Sequence, residues 1–175
     1  MGVKTNKNKI VVALILIVLT LGLMTAIFSF SAQNSSETVG LSSKVTNFVA
    51  QIIFSNFSDY SNDFRIKVVD GLNLFIRKAA HFSLYFLLGG FVFMIFHTLF
   101  SRWKNLKKIG CVIAFSALYA GLDELHQLFV PGRSARFTDV LLDSLGALTG
   151  SIVCLCLVLL AVCIANEIKS KLKNK

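Results

Sequence analysis

The chain has 175 residues, 55% of them hydrophobic, a net charge of +9 and a mean hydropathy of +0.71. Soluble domains run nearer ~45–50% apolar, so the composition excludes an ordinary soluble enzyme and points to one integral membrane domain spanning 1–175. The charge is no nucleic-acid footprint either: Lys4, Lys7 and Lys9 precede the first apolar run, Arg102, Lys104, Lys107 and Lys108 separate the second and third, and Lys169, Lys171, Lys173 and Lys175 follow the last, the positive-inside pattern of a chain with both termini cytoplasmic.

Residues 10–28 form an uninterrupted apolar run long enough to cross a bilayer. Flanking lysines and the small residues Ser29, Ser31 and Ala32 are also seen around signal peptides, but this core exceeds a signal h-region of ~7–15 residues. The expectation is an uncleaved first span over about 10–30, packed through Gly22, Thr25, Ser29 and Gln33 on one side. An outer segment, 31–73, follows. Leu41, Val45, Phe48, Val49 and Ile52 recur at helical spacing and predict an amphipathic helix over 41–54, lying in the headgroup region or capping the bundle. A turn-rich stretch at 56–63 and a short amphipathic piece from Phe64, ending near Gly71, complete it.

The remaining spans are expected at about 74–100, 109–129 and 139–165. Arg77, Lys78, His81 and Tyr85 sit at the outer end of the second, with Lys78, His81 and Tyr85 on one face. The third carries Ser116 and Ala120 below Asp123, Glu124 and Gln127. Residues 130–133 read as a turn in which Pro131 fixes φ and Gly132 is free to take a positive φ. Thr138 is the expected N-cap of the fourth span, where Asp139, Asp143, Gly146 and Gly150 share a face; the Gly-x-x-x-Gly spacing predicts close approach of a neighbour. Cys111, Cys154, Cys156 and Cys163 lie inside apolar runs, as small hydrophobes rather than a disulfide or zinc framework.

The fold class is therefore all-α, a polytopic bundle of four transmembrane helices with an outer amphipathic segment. Four spans with both ends on one side bring the outer ends together, so Ser29, Gln33, Lys78, His81, Asp123, Glu124, Gln127, Asp139 and Asp143 converge at one level. Charged side chains at membrane depth are costly and face bundle interiors, which makes this convergence the candidate site.

Residues 77–85 (Arg-Lys-Ala-Ala-His-Phe-x-x-Tyr), 123–129 (Asp-Glu-x-x-Gln-x-Phe), Pro131-Gly132-Arg133 and Asp139-x-x-x-Asp143-x-x-Gly146, together with Phe30-Ser31-x-Gln33, resemble the VanZ-like family. The resemblance implies a multi-pass protein of the bacterial plasma membrane, the family's namesake being associated with resistance to the glycopeptide teicoplanin. It implies no particular reaction, so whether the chain is an enzyme stays open.

His81, Asp123, Glu124 and Asp143 are the candidates for proton transfer or ligand orientation, and Lys78, Tyr85, Gln127, Arg133, Arg136 and Asp139 for ligand contact. Each has a structural alternative. His81 bonded to Asp143 or Glu124 would pin helices together, and Asp139 in a first helical turn is favoured by the helix dipole. Adjacent Asp123 and Glu124 diverge by about 100° on a helix, so one is expected to meet His81 or Lys78 and the other Arg133 or Arg136. Ser83 and Ser144 lie nearby without a nucleophile elbow. Oxygen-rich clusters suit Mg²⁺ or Ca²⁺, but no His-Glu-x-x-His spacing is present, and neither a metal nor a cofactor is expected.

The leading expectation is an outward-facing polar site that binds or modifies a lipid-linked precursor or headgroup ligand of the cell envelope, with membrane lipids as surroundings. The alternative is a non-enzymatic scaffold that recruits an envelope protein through its outer segment. Proton-coupled transport ranks last, because the inner halves of the spans carry almost no ionisable residue besides His97.

Overall fold

The computed structural model describes residues 2–32, 45–54, 56–131, 133 and 135–173; Gln33, Leu41 and Gly132 fall outside them. Helix α1 covers Gly2–Ser31, α2 residues 45–53, α3 Asn62–Leu99, α4 Asn105–Gln127 and α5 Phe137–Lys173, with a 3-10 turn at Phe57–Asp59 before α3. No strand occurs among the described residues. Lys7–Ser31, α3, α4 and α5 are each long and apolar enough to cross a membrane. α1 and α4 end where α3 and α5 begin, so carboxylates gather at one end of the bundle and lysines at the other.

Several boundaries differ from the sequence expectation. The break near Gly71 does not occur; α3 runs unbroken from Asn62. A lone glycine costs a helix only about 1 kcal/mol, and helix formers on both sides carry the chain through. At about 57 Å, α3 is far longer than a ~30 Å apolar layer, so its N-terminal part stands outside it. Thr138 is not the cap of α5, which already begins at Phe137, and α5 continues to Lys173 because its polar tail carries the helix formers Glu167, Lys169, Lys171, Leu172 and Lys173 and no proline or glycine.

Phase differs as well. On α1 the buried positions are Ala13, Thr20, Ile27 and Ser31. Gly22 has nothing within 4 Å of where a Cβ would sit, and Thr25 and Ser29 are exposed, each donating its hydroxyl to a carbonyl one turn back. On α2, Thr46 and Ala50 face the protein, with the Thr46 hydroxyl 2.6 Å from Asn73 Oδ1, while Val45, Phe48, Ile52 and Ile53 are exposed. The periodicity is helical, but the small face packs and the large apolar face turns outward. Asn56, the non-glycine residue with φ of 56° among those described, reverses the chain, and Phe54, Phe57, Tyr60 and Phe64 cluster behind it.

The centre of the fold is the parallel pair α3 and α5. A Cβ on Gly146 would strike the Phe82 carbonyl, one on Gly150 the Phe86 carbonyl, and one on Gly89 the Ala147 backbone. Lacking Cβ atoms, the two backbones come into direct contact, which is how helices associate where lipid removes the hydrophobic drive. Tyr85, Leu88, Phe93, Val112, Ala120, Ala147 and Ile27 form the buried core around this seam.

Gly150→Ala should therefore lower stability in detergent by about 1–3 kcal/mol through overpacking. Gly22→Ala, with open space around it, should be neutral or slightly stabilising. Thermal unfolding of the two variants side by side checks both.

Candidate functional site

α3 and α5 meet at the acidic end in a ladder that climbs one turn per rung. Lys78 pairs with Asp139, both partly exposed, and one turn deeper His81 Nδ1 lies 3.7 Å from Asp143 Oδ2. Tyr85 follows on the same face of α3, fully buried beside Gly146. The i, i+3/i+4 spacings of Lys78, His81 and Tyr85 against Asp139, Asp143 and Gly146 produce this register without any loop.

α1 and α4 supply the other side. The Ser31 hydroxyl donates to Asp123 Oδ2 at 2.6 Å, and Gln127 Nε2 donates to both Asp123 Oδ2 (3.1 Å) and Ser31 Oγ (3.3 Å). Ser31 is wholly buried and Asp123 is 3% exposed. Deeper in, the Tyr119 hydroxyl donates to the Met24 carbonyl at 2.6 Å, while at the surface the His126 ring lies tilted against exposed Phe28 with centroids 4.4 Å apart.

The hairpin between α4 and α5 closes over these residues. Its turn is set by Arg133 N–H donating to the Val130 carbonyl, and the Arg133 side chain donates to the Phe30 carbonyl at 3.2 Å. Glu124 Oε2 accepts the Arg136 backbone N–H at 2.7 Å. Arg136 thus meets the cluster through its main chain, and its side chain is exposed. Burial, and after it the nearby Arg77 charge, pulls the Arg133 guanidinium below its ordinary value.

A cleft of about 20 Å³ lies among Arg77, Lys78, His81, Glu124, Gln127, Arg133, Asp139, Leu142 and Asp143. It brings together most of the residues picked from sequence; Asp123, Tyr85 and Arg136 are not among those that line it. Neither adjacent carboxylate of α4 meets His81 or Lys78, which are taken by Asp143 and Asp139 on α5. Sequence reasoning places 29–33 only at the edge of the site, where Ser31 proves to be a buried partner of Asp123, and gives Arg77 no site role although it sits beside Lys78. The Ser83 and Ser144 hydroxyls donate to carbonyls a turn back, as ordinary helix-surface serines do. Among the described residues no three His, Cys, Asp or Glu side chains are placed to hold a metal ion.

Among the buried polar atoms without a hydrogen-bond partner among the described residues are Asp123 Oδ1, Asp143 Oδ1 and Tyr85 Oη, together with Ser116 Oγ and His126 Nε2 on α4, which do not line the cleft. Asp143 is 2% exposed and Tyr85 fully buried, and Tyr85 is close enough to both carboxylates to feel their charge. The site therefore presents two open acceptors and one hydroxyl behind a cationic rim of Arg77, Lys78 and Arg133.

A protein-family model described as VanZ/LLP1 matches residues 15–160. No curated protein and no solved structure matches the chain.

Ser31 makes the shorter of the two hydrogen bonds to buried Asp123 Oδ2, Gln127 making the other, so removing its hydroxyl should cost about 1.5–3 kcal/mol, the usual worth of a hydrogen bond to a charged group. Ser31→Ala is expected to lower the melting temperature in detergent, while Ser29→Ala, on an exposed face two residues away, leaves it unchanged.

Proposed function

This chain belongs to the VanZ/LLP1 family and is a multi-pass membrane protein, and on that footing we propose that it lies in the bacterial plasma membrane with both termini cytoplasmic. The acidic-end cluster is then an outward-facing site that binds or modifies a lipid-linked or headgroup ligand of the envelope and contributes to teicoplanin-type glycopeptide resistance.

The observation supporting this reading is the trio of unpartnered buried atoms, Asp123 Oδ1, Asp143 Oδ1 and Tyr85 Oη. A purely structural network closes on itself, because each buried group left unpaired costs about 1–3 kcal/mol. Open acceptors behind guanidinium and ammonium groups complement a ligand that carries an anionic group next to hydroxyl or amine donors. A phosphorylated headgroup or sugar has that chemistry.

In this reading Arg77, Lys78 and Arg133 take the anionic group, Arg being suited to bidentate contact. Asp143 faces His81 Nδ1 and orients the ring, leaving Nε2 as the nitrogen that meets the ligand and moves a proton. Asp123, Glu124, Gln127 and Tyr85 fix the ligand's hydroxyls. The cleft, at about 20 Å³, has room for roughly one water, so ligand binding requires the partly exposed Lys78–Asp139 pair at its mouth to part.

The second reading, a scaffold, has its own support in the exposed apolar side chains Val45, Phe48, Ile52 and Ile53 of the outer segment. It assigns recruitment of an envelope protein to that face.

His81→Gln and Asp143→Asn are each expected to return a susceptible bacterium expressing the protein to the teicoplanin sensitivity of cells without it, at unchanged membrane levels. Full resistance in both variants would remove the pocket reading. If resistance instead survives these changes and is lost on deleting 45–53, the scaffold reading stands. Tyr85→Phe breaks no hydrogen bond among the described residues, so it should lose resistance while melting no lower than the parent protein; retained resistance would show that the hydroxyl meets no ligand.

A further inference from the structure

The opposite, basic end holds a second unsatisfied group, unconnected with the cluster just described. Lys108, in the first turn of α4, is 2% exposed, enclosed by the protein itself. Among the described residues its ammonium has one polar contact, Asn105 Oδ1 at 3.5 Å, a neutral oxygen at the limit of hydrogen bonding. No acidic residue occupies that first turn, and Lys104 at the N-cap makes no capping bond. The unsatisfied N–H groups of a helix N-terminus already carry positive partial charge, so Lys108 adds charge of the same sign. Fully buried lysines are almost always paired.

At the same end, an open cleft of about 390 Å³ that Lys108 itself does not line is bounded by Asn8, Lys9 and Val12 of α1 and by His97, Thr98 and Ser101 at the end of α3. That volume is in the range of small-ligand sites. His97 connects the two features. It lines the cleft, its Nδ1 is buried with no hydrogen-bond partner among the described residues, and it lies within reach of the Lys108 charge. The cleft is level with an aromatic stack in which Phe100 and Trp103 have centroids 4.5 Å apart and Lys107 sits 4.1 Å over the Trp103 ring. Aromatic and basic residues together mark the headgroup level of a bilayer. Val11 and Leu99, exposed beside it, offer apolar surface to acyl chains.

We propose that this end is a binding site for the phosphate of an anionic phospholipid, held by Lys108, Lys9 and His97 at the N-terminus of α4. Phosphate supplies the negative charge and the several acceptors that these donors lack, and a lipid delivers it at the right depth. Basic pockets between spans are a recurrent form of headgroup recognition.

The test uses the full-length protein in nanodiscs of phosphatidylcholine alone or with phosphatidylglycerol, comparing the parent with Lys108→Met and Lys107→Met. Methionine approaches lysine in bulk, and its introduction in place of Lys108 removes a buried charge, so that variant should fold and melt no lower in phosphatidylcholine. Phosphatidylglycerol is expected to raise the melting temperature of the parent and of Lys107→Met but not of Lys108→Met, and native mass spectrometry should show phosphatidylglycerol retention reduced at least about tenfold in Lys108→Met alone. Equal losses in both variants, or in neither, overturn the site. A Lys108-dependent response to inorganic phosphate in phosphatidylcholine, with no phosphatidylglycerol preference, keeps the phosphate chemistry and overturns the lipid as its source.

Discussion

The direct backbone contact between α3 and α5 is the constraint on which the rest of the structure depends. Gly89, Gly146 and Gly150 leave no side chain between the two helices, and this fixes both their separation and their register. Register in turn decides which polar residues face each other a few turns away. With Gly146 seated on the Phe82 carbonyl, Asp143 falls opposite His81 and Asp139 opposite Lys78. A bulkier seam would move the helices apart and separate pairs that are short only because the backbones touch. The glycines are thus as much a part of the polar site as its charges.

Much of the architecture was legible because bilayer length and helical period are coarse, strong signals. Four apolar stretches, the Gly146 and Gly150 spacing, and the i+4 pair of Asp123 and Gln127 all follow from period alone. What was not legible is rotational phase on helices that are apolar all round. Nothing in residues 10–28 tells which stripe faces protein, and the inward side carries Thr20, Ile27 and Ser31 rather than Gly22, Thr25 and Ser29. For α2 the difficulty is one of solvent. Its apolar period is compatible with lying in the headgroup region or with capping the bundle, and in the fold the small residues Thr46 and Ala50 pack while Val45, Phe48, Ile52 and Ile53 stay exposed. Gly89 and Lys108 were hidden for another reason: a glycine pair in a long apolar run and a lysine in a basic loop look the same whether buried or exposed.

The polar site combines two sorts of connection. Ser31, Asp123 and Gln127 are joined by hydrogen bonds of 2.6, 3.1 and 3.3 Å between α1 and α4, with Asp123 Oδ1 left unpartnered among the described residues. The α3–α5 ladder is looser, with the His81–Asp143 approach at 3.7 Å longer than a hydrogen bond and the outermost pair partly exposed. Rigid on one side and adjustable on the other, the site keeps its depth fixed while its mouth is able to widen.

α4 carries a consequence of its own. Its buried stripe begins at Lys108 and ends at Asp123, Glu124 and Gln127, with positive charge at the helix's positive end and carboxylates at its negative end. The helix's own field therefore works against both groups. A second field acts in the opposite sense. With the basic end in the cytoplasm, a membrane potential negative inside holds an ammonium at the inner face and ionised carboxylates at the outer one, a term of about 2.3 kcal/mol for each charge that would otherwise cross 100 mV. On the topology proposed above, an energised plasma membrane would act as one of the fold's supports, absent from a detergent micelle.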